Sequence, residues 1–205
     1  MIAHTLRALQ RTRSLDAITV ATTTNADDDP VVAVAEREGI GSFRGSEHDV
    51  LRRYAGAAKE SQAHVVVRIT ADCPLIDPGV VDRVVAALEP KSDYASNVIE
   101  RTYPVGLDVE ALFSDVLYRL DRISDSAEAR EHVTWFIREE RPELFVCRSV
   151  VDEEDNSDLR WTVDTADDLA AIRSLFDDLN LVANPLSYRE IVAHARHSSA
   201  GITPR

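Results

Sequence analysis

The chain has 205 residues, of which 44% are hydrophobic, and a formal net charge of −13 at pH 7. This length and composition favour one domain with a sizeable core. The acidic excess argues against nucleic acid as a partner, because such proteins need clustered Lys and Arg to neutralise phosphates. No apolar run is long enough to span a membrane and no secretory signal is recognisable, so we expect no membrane contact and a cytoplasmic protein.

Strands and helices alternate along the first half of the chain, which favours an α/β fold with a mostly parallel sheet and helices on its faces. Apolar periodicity and capping residues predict helices over 2–13, 25–39, 46–60 and 78–89, with Ser46 as an N-cap, and strands over 17–24 and from 64 to about 69.

The second half has a different pattern. From Tyr94 the sequence predicts a strand, a polar turn with Pro104 and Gly106, and a further strand. We expect one domain over 1–186, followed by a C-terminal helix and flexible tail over 187–205. Further helices are predicted over 115–122, 126–140, after Thr165 and over 187–197, and strands over 144–151 and 159–163.

Two acids follow predicted strands. Asp72 comes after the β-branched run that begins at His64, and Asp164 ends the segment "LRWTVD". Ligands of open α/β sheets bind outside the carboxyl ends of strands, and two carboxylates there suit a hard cation. The alternative for Asp72 alone is a cap of the next turn or helix, and the sequence spacing does not show that the two acids meet. Asp167 and Asp168 fit the first turn of a helix capped by Thr165 and are assigned structural roles.

The segment "SNVIERTYPVGLDVE" places four polar groups around a Pro/Gly turn: Asn97, Arg101, Asp108 and Glu110. Asp108 and Glu110 share one face of a strand by alternation. Such a hairpin suits contacts with a polyol, and with a carboxylate through Arg, while a solvated hairpin is the alternative.

Other reactive residue types show no catalytic grouping. Cys73 and Cys147 lack metal-type spacing and are expected to be plain thiols without a disulfide. His132 on its predicted helix is expected to be packed, and no Ser or Cys partner is arranged for it. The remaining histidines, His4, His48, His64, His194 and His197, have no metal-ligand spacing.

Five blocks, in order "FRGSEHDVLRRY", "VVRITADCPLIDPGVVD", "DYASNVIERTYPVGLDVE", "REHVT" and "LRWTVDTADDL", resemble the spore-coat polysaccharide cytidylyltransferase-like family, which is related to the CMP-sialic acid and CMP-KDO synthetases. The resemblance covers about residues 2–180. It implies a Rossmann-like three-layer α/β/α sandwich of the nucleotide-diphospho-sugar transferase type. It also implies Mg²⁺-dependent attack of a sugar or sugar-acid hydroxyl on the α-phosphate of CTP, with release of pyrophosphate, in surface polysaccharide synthesis.

The same resemblance implies roles for individual residues. Asp72 and Asp164 match the catalytic acids that hold the metal, and Asp72 also faces the nucleotide. A homodimer is the implied assembly, with residues 94–140 as the expected contact. The block on the nucleotide side contributes Ser46, Asp49 and Arg52, and the block facing the acceptor sugar contributes Asn97, Arg101, Asp108 and Glu110.

One departure from the family pattern concerns the start of the chain. Family members open with a strand and a loop resembling Q-A-R-x-x-S-x-R-L-P-G-K before the helix that opens this sequence. The expected fold is therefore N-terminally truncated, with Met1 as an internal methionine or with the chain as a truncated, non-catalytic paralogue. A glycosyltransferase or another nucleotide-sugar enzyme on the same fold is the alternative chemistry.

Overall fold

The computed structural model describes residues 1–197. The tail over 198–205, which the sequence predicts to fray, lies outside the described residues. No helix within 1–197 is both long enough and apolar enough to cross a membrane.

Helices and strands alternate through the first half, as the periodicity predicts. Most of the predicted elements are present, with shorter bounds. They are α1 (Ile2–Leu9), β1 (Thr19–Thr23), α2 (Asp29–Arg37), β2 (Gly41–Gly45), α3 (Val50–Glu60), β3 (Val65–Arg68) and α4 (Pro78–Ala87), with a 3₁₀ turn over Ala26–Asp28.

The second half is less regular and includes several short elements. They are β4 (Tyr94–Ser96), β5 (Glu110–Phe113), α5 (Ser114–Ile123), α6 (Ala127–His132), a π-helix over Phe136–Glu140, a 3₁₀ turn over Pro142–Leu144, β6 (Cys147–Ser149), α7 (Ala166–Asp178) and α8 (Tyr188–His197).

The strands form two sheets within the described residues. One is the parallel pair β1–β2, and the other has the order β3-β5-β4-β6. In the larger sheet β5 runs antiparallel to β3 and β4, while β4 and β6 are parallel. Strands β3, β4 and β6 therefore share one direction, which confirms the mixed, mostly parallel α/β fold.

Alternate residues of the larger sheet enter two separate cores, which creates three layers. One core lies under α4, α7 and α8, and the other lies under α3, α5 and the π-helix. Side chains entering the first core include Val67, Ala95 and Ala111, and those entering the second include Val66, Tyr94 and Leu112. A third cluster joins α1, β1 and α2 through Leu6, Val20, Ala35 and Ile40.

Three predicted elements are wrong in their extent. The segment 159–163 is not a strand; it makes one isolated bridge, between Val105 and Arg160. The predicted strand over 144–151 is only three residues long, because a 3₁₀ turn begins at Pro142. The predicted helix over 126–140 breaks at Val133, whose φ of +56° is strained for a β-branched residue and whose side chain is fully buried.

The capping predictions have mixed outcomes. Asp49, not Ser46, is the N-cap of α3, and its carboxylate accepts from the Arg52 N–H. Thr165 caps α7 as predicted, in a reciprocal capping box with Asp168. Asp168 therefore has the structural role that the sequence assigns to it.

Candidate active site

The two acids at predicted strand ends lie on segments that touch. Asp72 is half-buried in the turn after β3, and its backbone carbonyl accepts a hydrogen bond from the Val163 N–H at 3.0 Å. Val163 directly precedes Asp164. The backbone contact therefore places Asp72 and Asp164 on adjoining segments, although they are 92 positions apart in the sequence.

A third segment packs against the second through Val105 and Gly106. The Val105 N–H donates to the Leu159 carbonyl at 2.9 Å, and the Trp161 N–H donates to the Val105 carbonyl at 2.7 Å. Gly106 has a φ of +103°, and a Cβ added there would lie 2.8 Å from the Trp161 carbonyl carbon. Only glycine tolerates this approach. We call the convergence of segments 70–73, 105–108 and 160–164 the candidate site.

A charged pair stands beside this convergence. The Arg101 guanidinium binds the Asp108 carboxylate through two nitrogens, at 2.7 and 2.9 Å. The hydrogen bonds to Asp108 raise the pKa of Arg101. The side chains of Arg101 and Asp108 are 25% and 32% exposed, so this two-nitrogen pair, the Arg101–Asp108 fork, can still contact a ligand. Asp108 precedes β5 rather than lying within it, which corrects the predicted strand face shared with Glu110.

Cys73 lies between acids of two segments and is not a nucleophile. Its thiol is buried, and burial raises its pKa to about 12, with the charges of Asp72 and Asp108 adding to the effect. Its closest polar neighbour is the Thr70 hydroxyl, with the two heteroatoms 3.3 Å apart. The thiol remains protonated near neutral pH and donates a hydrogen bond to the Asp72 carboxylate at 3.6 Å.

Asp164 is exposed and already has a cationic partner. Its carboxylate pairs with Arg160 and accepts from the Thr162 hydroxyl at 3.3 Å. The second terminal nitrogen of Arg160 binds Asp168 at 2.9 Å. A cation at Asp164 would therefore have to share or displace the Arg160 contact.

The donor set fits a cation that arrives with phosphates. Residues 1–197 contain no group of three or more His, Cys, Asp or Glu side chains placed to hold a metal ion. Mg²⁺, however, is commonly held by one or two carboxylates together with substrate phosphates and water. Asp72 and Asp164 supply oxygen ligands of this type on touching segments, whereas a dedicated protein cage is not present in the described chain.

Two of the residues predicted to face a sugar are buried. Asn97 bridges the backbone, with its amide donating to the Leu107 carbonyl at 2.7 Å and its oxygen accepting from the Val109 N–H at 2.9 Å. This bridge fixes the turn that carries Asp108. Asn97 therefore supports the candidate site from inside the fold, and its side chain has no exposed surface.

Glu110 lies in a buried polar cluster instead of on a hairpin surface. Its carboxylate accepts from the Tyr94 hydroxyl at 2.6 Å and also binds the Thr134 hydroxyl and the Arg68 guanidinium. Burial pushes the pKa of Glu110 upward, but the Arg68 charge and the hydrogen bonds outweigh it and the pKa is lowered. Glu110 is therefore ionised and ties β3, β4 and the segment after α6 together.

The residues predicted to face the nucleotide surround the start of α3. Ser46 and Arg52 are exposed, and the Ser46 hydroxyl accepts from the Asp49 N–H at 3.1 Å. The Asp49 carboxylate is held by two nitrogens of Arg130, at 2.9 and 2.6 Å. These residues form one group, but no described contact joins them to Asp72.

Sequence reasoning missed the residues that hold this frame. Arg130 links α6 to Asp49 and also to Asp121 of α5, with a nitrogen–oxygen distance of 2.7 Å. Thr134 reaches Glu110 from the strained turn at Val133. Both residues belong to the "REHVT" block, so the motif itself was the available signal, but it did not reveal their partners.

Asp72 and Asp164 lie beyond the ends of extended segments of an α/β protein, at the kind of sheet edge where proteins of this class bind their ligands. The family profile described as cytidylyltransferase matches residues 1–184, and the chain belongs to that family. It is therefore a nucleotidyltransferase enzyme, as the sequence predicts.

Relatives and solved structures support this assignment. An uncharacterized protein of Methanocaldococcus jannaschii is 34% identical over 182 residues, covering 86% of this chain and 72% of that protein. The spore coat polysaccharide biosynthesis protein SpsF of Bacillus subtilis is 30% identical over 165 residues, covering 78% of this chain and 67% of SpsF.

Among solved structures, a cytidylyltransferase from Leptospira borgpetersenii superposes with a TM-score of 0.90 at 29% identity, covering 96% of this chain and 82% of the other. A CMP:2-keto-3-deoxy-manno-octonic acid synthetase complexed with CTP superposes with a TM-score of 0.59 at 16% identity, covering 86% and 87%. The second likeness shows the fold alone.

Proposed function

We propose that this chain transfers CMP from CTP to a hydroxyl group of a sugar or sugar acid. The bond between the α-phosphorus and the bridging oxygen breaks, a bond from that phosphorus to the sugar oxygen forms, the hydroxyl proton passes to solvent, and pyrophosphate leaves. The observation that carries the proposal is the convergence of the Asp72, Asp108 and Asp164 segments in a member of the cytidylyltransferase family. The cytidylyltransferase family supports CTP as the donor, and SpsF supports a product for surface polysaccharide.

The acids would hold Mg²⁺ at the phosphates. A bound Mg²⁺ neutralises phosphate charge, which is where phosphoryl transfers gain most of their acceleration. Asp72 is the stronger ligand candidate, since it is half-buried and no ion pair is described for it, whereas Asp164 must exchange its Arg160 partner. The chain itself is strongly acidic, so a cation would also offset the repulsion between CTP and the protein.

The Arg101–Asp108 fork would orient the acceptor. Asp108 holds the guanidinium in one plane, and the exposed edge of Arg101 suits a carboxylate or hydroxyl groups of the sugar. Asn97 and Glu110 would not contact the sugar themselves and would instead fix the backbone from 107 to 110, which carries Asp108. Ser46 and Arg52 offer hydrogen bonds and charge to the nucleotide from the start of α3. Because CTP is the donor, we place the reaction in the cytoplasm.

Calorimetric titration with CTP and Mg²⁺ tests the donor site. We expect metal-dependent binding that exceeds ATP binding and weakens at least about tenfold, or about 1.4 kcal/mol, in Asp72→Asn. Asp167→Asn is the matched control, because Asp167 is an exposed first-turn acid of α7 that lies outside the convergence. Equal binding by wild type and Asp72→Asn would refute the assignment of Asp72, and binding of CTP without Mg²⁺ would refute the metal role.

A further inference from the structure

Arg160 binds two carboxylates at the candidate site, one with each of its terminal nitrogens. The Nη2 atom binds Oδ2 of Asp164, and the Nη1 atom binds Oδ1 of Asp168 at 2.9 Å. The guanidinium is partly exposed, so a ligand at the surface of the site can reach it. Because each acid has its own nitrogen, Arg160 can lose one of these contacts and keep the other.

The two acids are held very differently. Oδ2 of Asp168 accepts from the backbone N–H groups of Asp164 and Thr165, at 3.0 and 2.8 Å, and the side chain is 17% exposed. The Asp164 side chain is 56% exposed, and its one further contact is the Thr162 hydroxyl at 3.3 Å, which also reaches Oδ2. No hydrogen bond or ion pair within the described chain reaches its Oδ1 atom. Asp168 is therefore a fixed anchor for the guanidinium, whereas the Asp164 carboxylate can turn toward a ligand.

The backbone around Arg160 is fixed as well. The residues on either side of it, Leu159 and Trp161, share hydrogen bonds with Val105, and both are buried. The backbone and the anchor on Asp168 therefore stay in place when the contact with Asp164 breaks. Rotation at the end of the side chain is enough to bring the Nη2 atom to another acceptor.

A divalent cation and its phosphates would act on this group in opposite ways. A cation that binds Asp164 by itself takes an acceptor from Arg160 and leaves two positive charges side by side. Phosphate oxygens that arrive with the cation give the guanidinium a new charged acceptor of the kind that Arg binds strongly. The arrangement therefore favours joint binding of metal and phosphates over binding of the metal alone.

We propose that Arg160 is a counter-ion that exchanges partners. In the ligand-free protein it holds Asp164. When a divalent cation binds Asp164, Arg160 stays on Asp168 and its released nitrogen binds a phosphate of the ligand. The class of ligand, a polyphosphate that carries a divalent cation, rests on the proposed function. The exchange gives Arg160 a direct role in ligand binding and makes the metal and the phosphates bind as one unit.

Binding of Mn²⁺ alone is the first test, with free Mn²⁺ measured by electron paramagnetic resonance. Mn²⁺ takes the same oxygen ligands as Mg²⁺. Arg160→Met frees Asp164, so we expect Mn²⁺ to bind about threefold to fivefold more tightly than in wild type, which is the range set by a partly exposed ion pair. Arg148→Met is the matched control, because Arg148 lies on β6 in an exposed pair with Glu89, and it should leave the Mn²⁺ affinity unchanged. Equal or weaker Mn²⁺ binding in Arg160→Met would overturn the proposal.

Binding of inorganic tripolyphosphate with Mg²⁺ is the second test, measured by calorimetry. Arg160→Met loses a phosphate contact, so we expect this affinity to fall at least about fivefold, in the direction opposite to the change for Mn²⁺ alone. Arg148→Met should again match wild type. A residue that only supported the fold would lower both affinities together, so changes of both affinities in the same direction would overturn the proposal.

Two further variants exclude other causes of these changes. In Arg160→Met combined with Asp164→Asn, the gain in Mn²⁺ affinity should disappear. A gain that persisted would come from the lost positive charge alone and would overturn the release of Asp164. Arg160→Gln takes the place of Arg160→Met if the apolar side chain prevents folding, and the same two opposite changes are expected and decide the outcome.

A comparison of CTP with ATP distinguishes this proposal from the proposed function. If Mg²⁺ and tripolyphosphate bind as expected but CTP binds no better than ATP, the assignment of the donor fails and the role of Arg160 stands. If CTP binds selectively with Mg²⁺ and Arg160→Met changes neither the Mn²⁺ nor the tripolyphosphate affinity, the role of Arg160 fails and the assignment of the donor stands.

Discussion

Replacing Glu110 by glutamine removes the negative charge from the buried cluster with Arg68, Tyr94 and Thr134. The change keeps the side-chain volume, so no cavity forms and the effect is electrostatic. Glu110 is 4% exposed and Arg68 is 17% exposed, which places the pair among buried ion pairs. Removing one partner of such a pair costs about 3–5 kcal/mol, because the other charge stays buried without compensation. A domain has only about 5–15 kcal/mol of stability, so the loss is large.

Urea unfolding of wild type and Glu110→Gln measures this cost. The matched control is Glu143→Gln, which makes the same chemical change in the exposed pair with Arg141, where the side chains are 59% and 52% exposed. Exposed pairs contribute at most about 1 kcal/mol. A Glu110→Gln loss no greater than that of the control, at an unchanged slope against urea, would refute the reasoning.

A double variant separates charge from packing. Glu110→Leu combined with Arg68→Met removes both charges while keeping most of the apolar volume. Replacing both members of a buried pair is often close to neutral, so the double variant is expected to be more stable than either single variant. A double variant that loses the sum of both single losses would contradict the ion-pair explanation and point to packing or to the Tyr94 and Thr134 hydroxyls, which lose their acceptor.

Two further substitutions test a hydrogen-bonded carboxylate at the end of β1 and the glycine of the candidate site. Hydrogen bonds from Thr23 and from the Thr22 hydroxyl lower the pKa of Asp28 from 3.8 to about 2. Because the folded pKa lies below the unfolded one, this stabilisation is present above pH 3.8 and is lost as the pH falls toward 2. We expect Asp28→Asn to lose about 1 kcal/mol of unfolding free energy at pH 7 and much less at pH 2, measured by urea midpoints. An equal loss at both pH values would contradict the lowered pKa of Asp28. Gly106→Ala brings a Cβ to 2.8 Å from the Trp161 backbone at a φ of +103°, and we expect a loss of about 1–3 kcal/mol in unfolding free energy and weaker CTP binding. Gly39→Ala is the control, with a φ of +72° and nothing within 4 Å of the added Cβ, so it should lose stability without losing CTP binding.

Local signals in the sequence predicted much of the fold. Thr165 and Asp168 are three residues apart, so their capping box follows from short-range geometry, and most helices and strands of the first half follow from apolar periodicity. The five ordered blocks identified the family that the profile match then confirmed. Asp72 after a strand was also visible, because a β-branched run followed by Asp and Pro marks the strand end.

Long-range contacts decided what those residues do. Arg130 and Asp49 are 81 positions apart, and Asp72 meets Val163 only because β3 and the 159–163 segment end beside each other. The sequence predicts Glu110 as an acid on an exposed hairpin, whereas the tertiary structure buries it against Arg68 of β3. The sequence by itself determined the α/β class, the family and the acids at strand ends, since each depends on neighbours along the chain. Only the tertiary structure decided which acids are buried and paired and which can meet a ligand, because burial and ion pairing depend on residues that are distant in sequence.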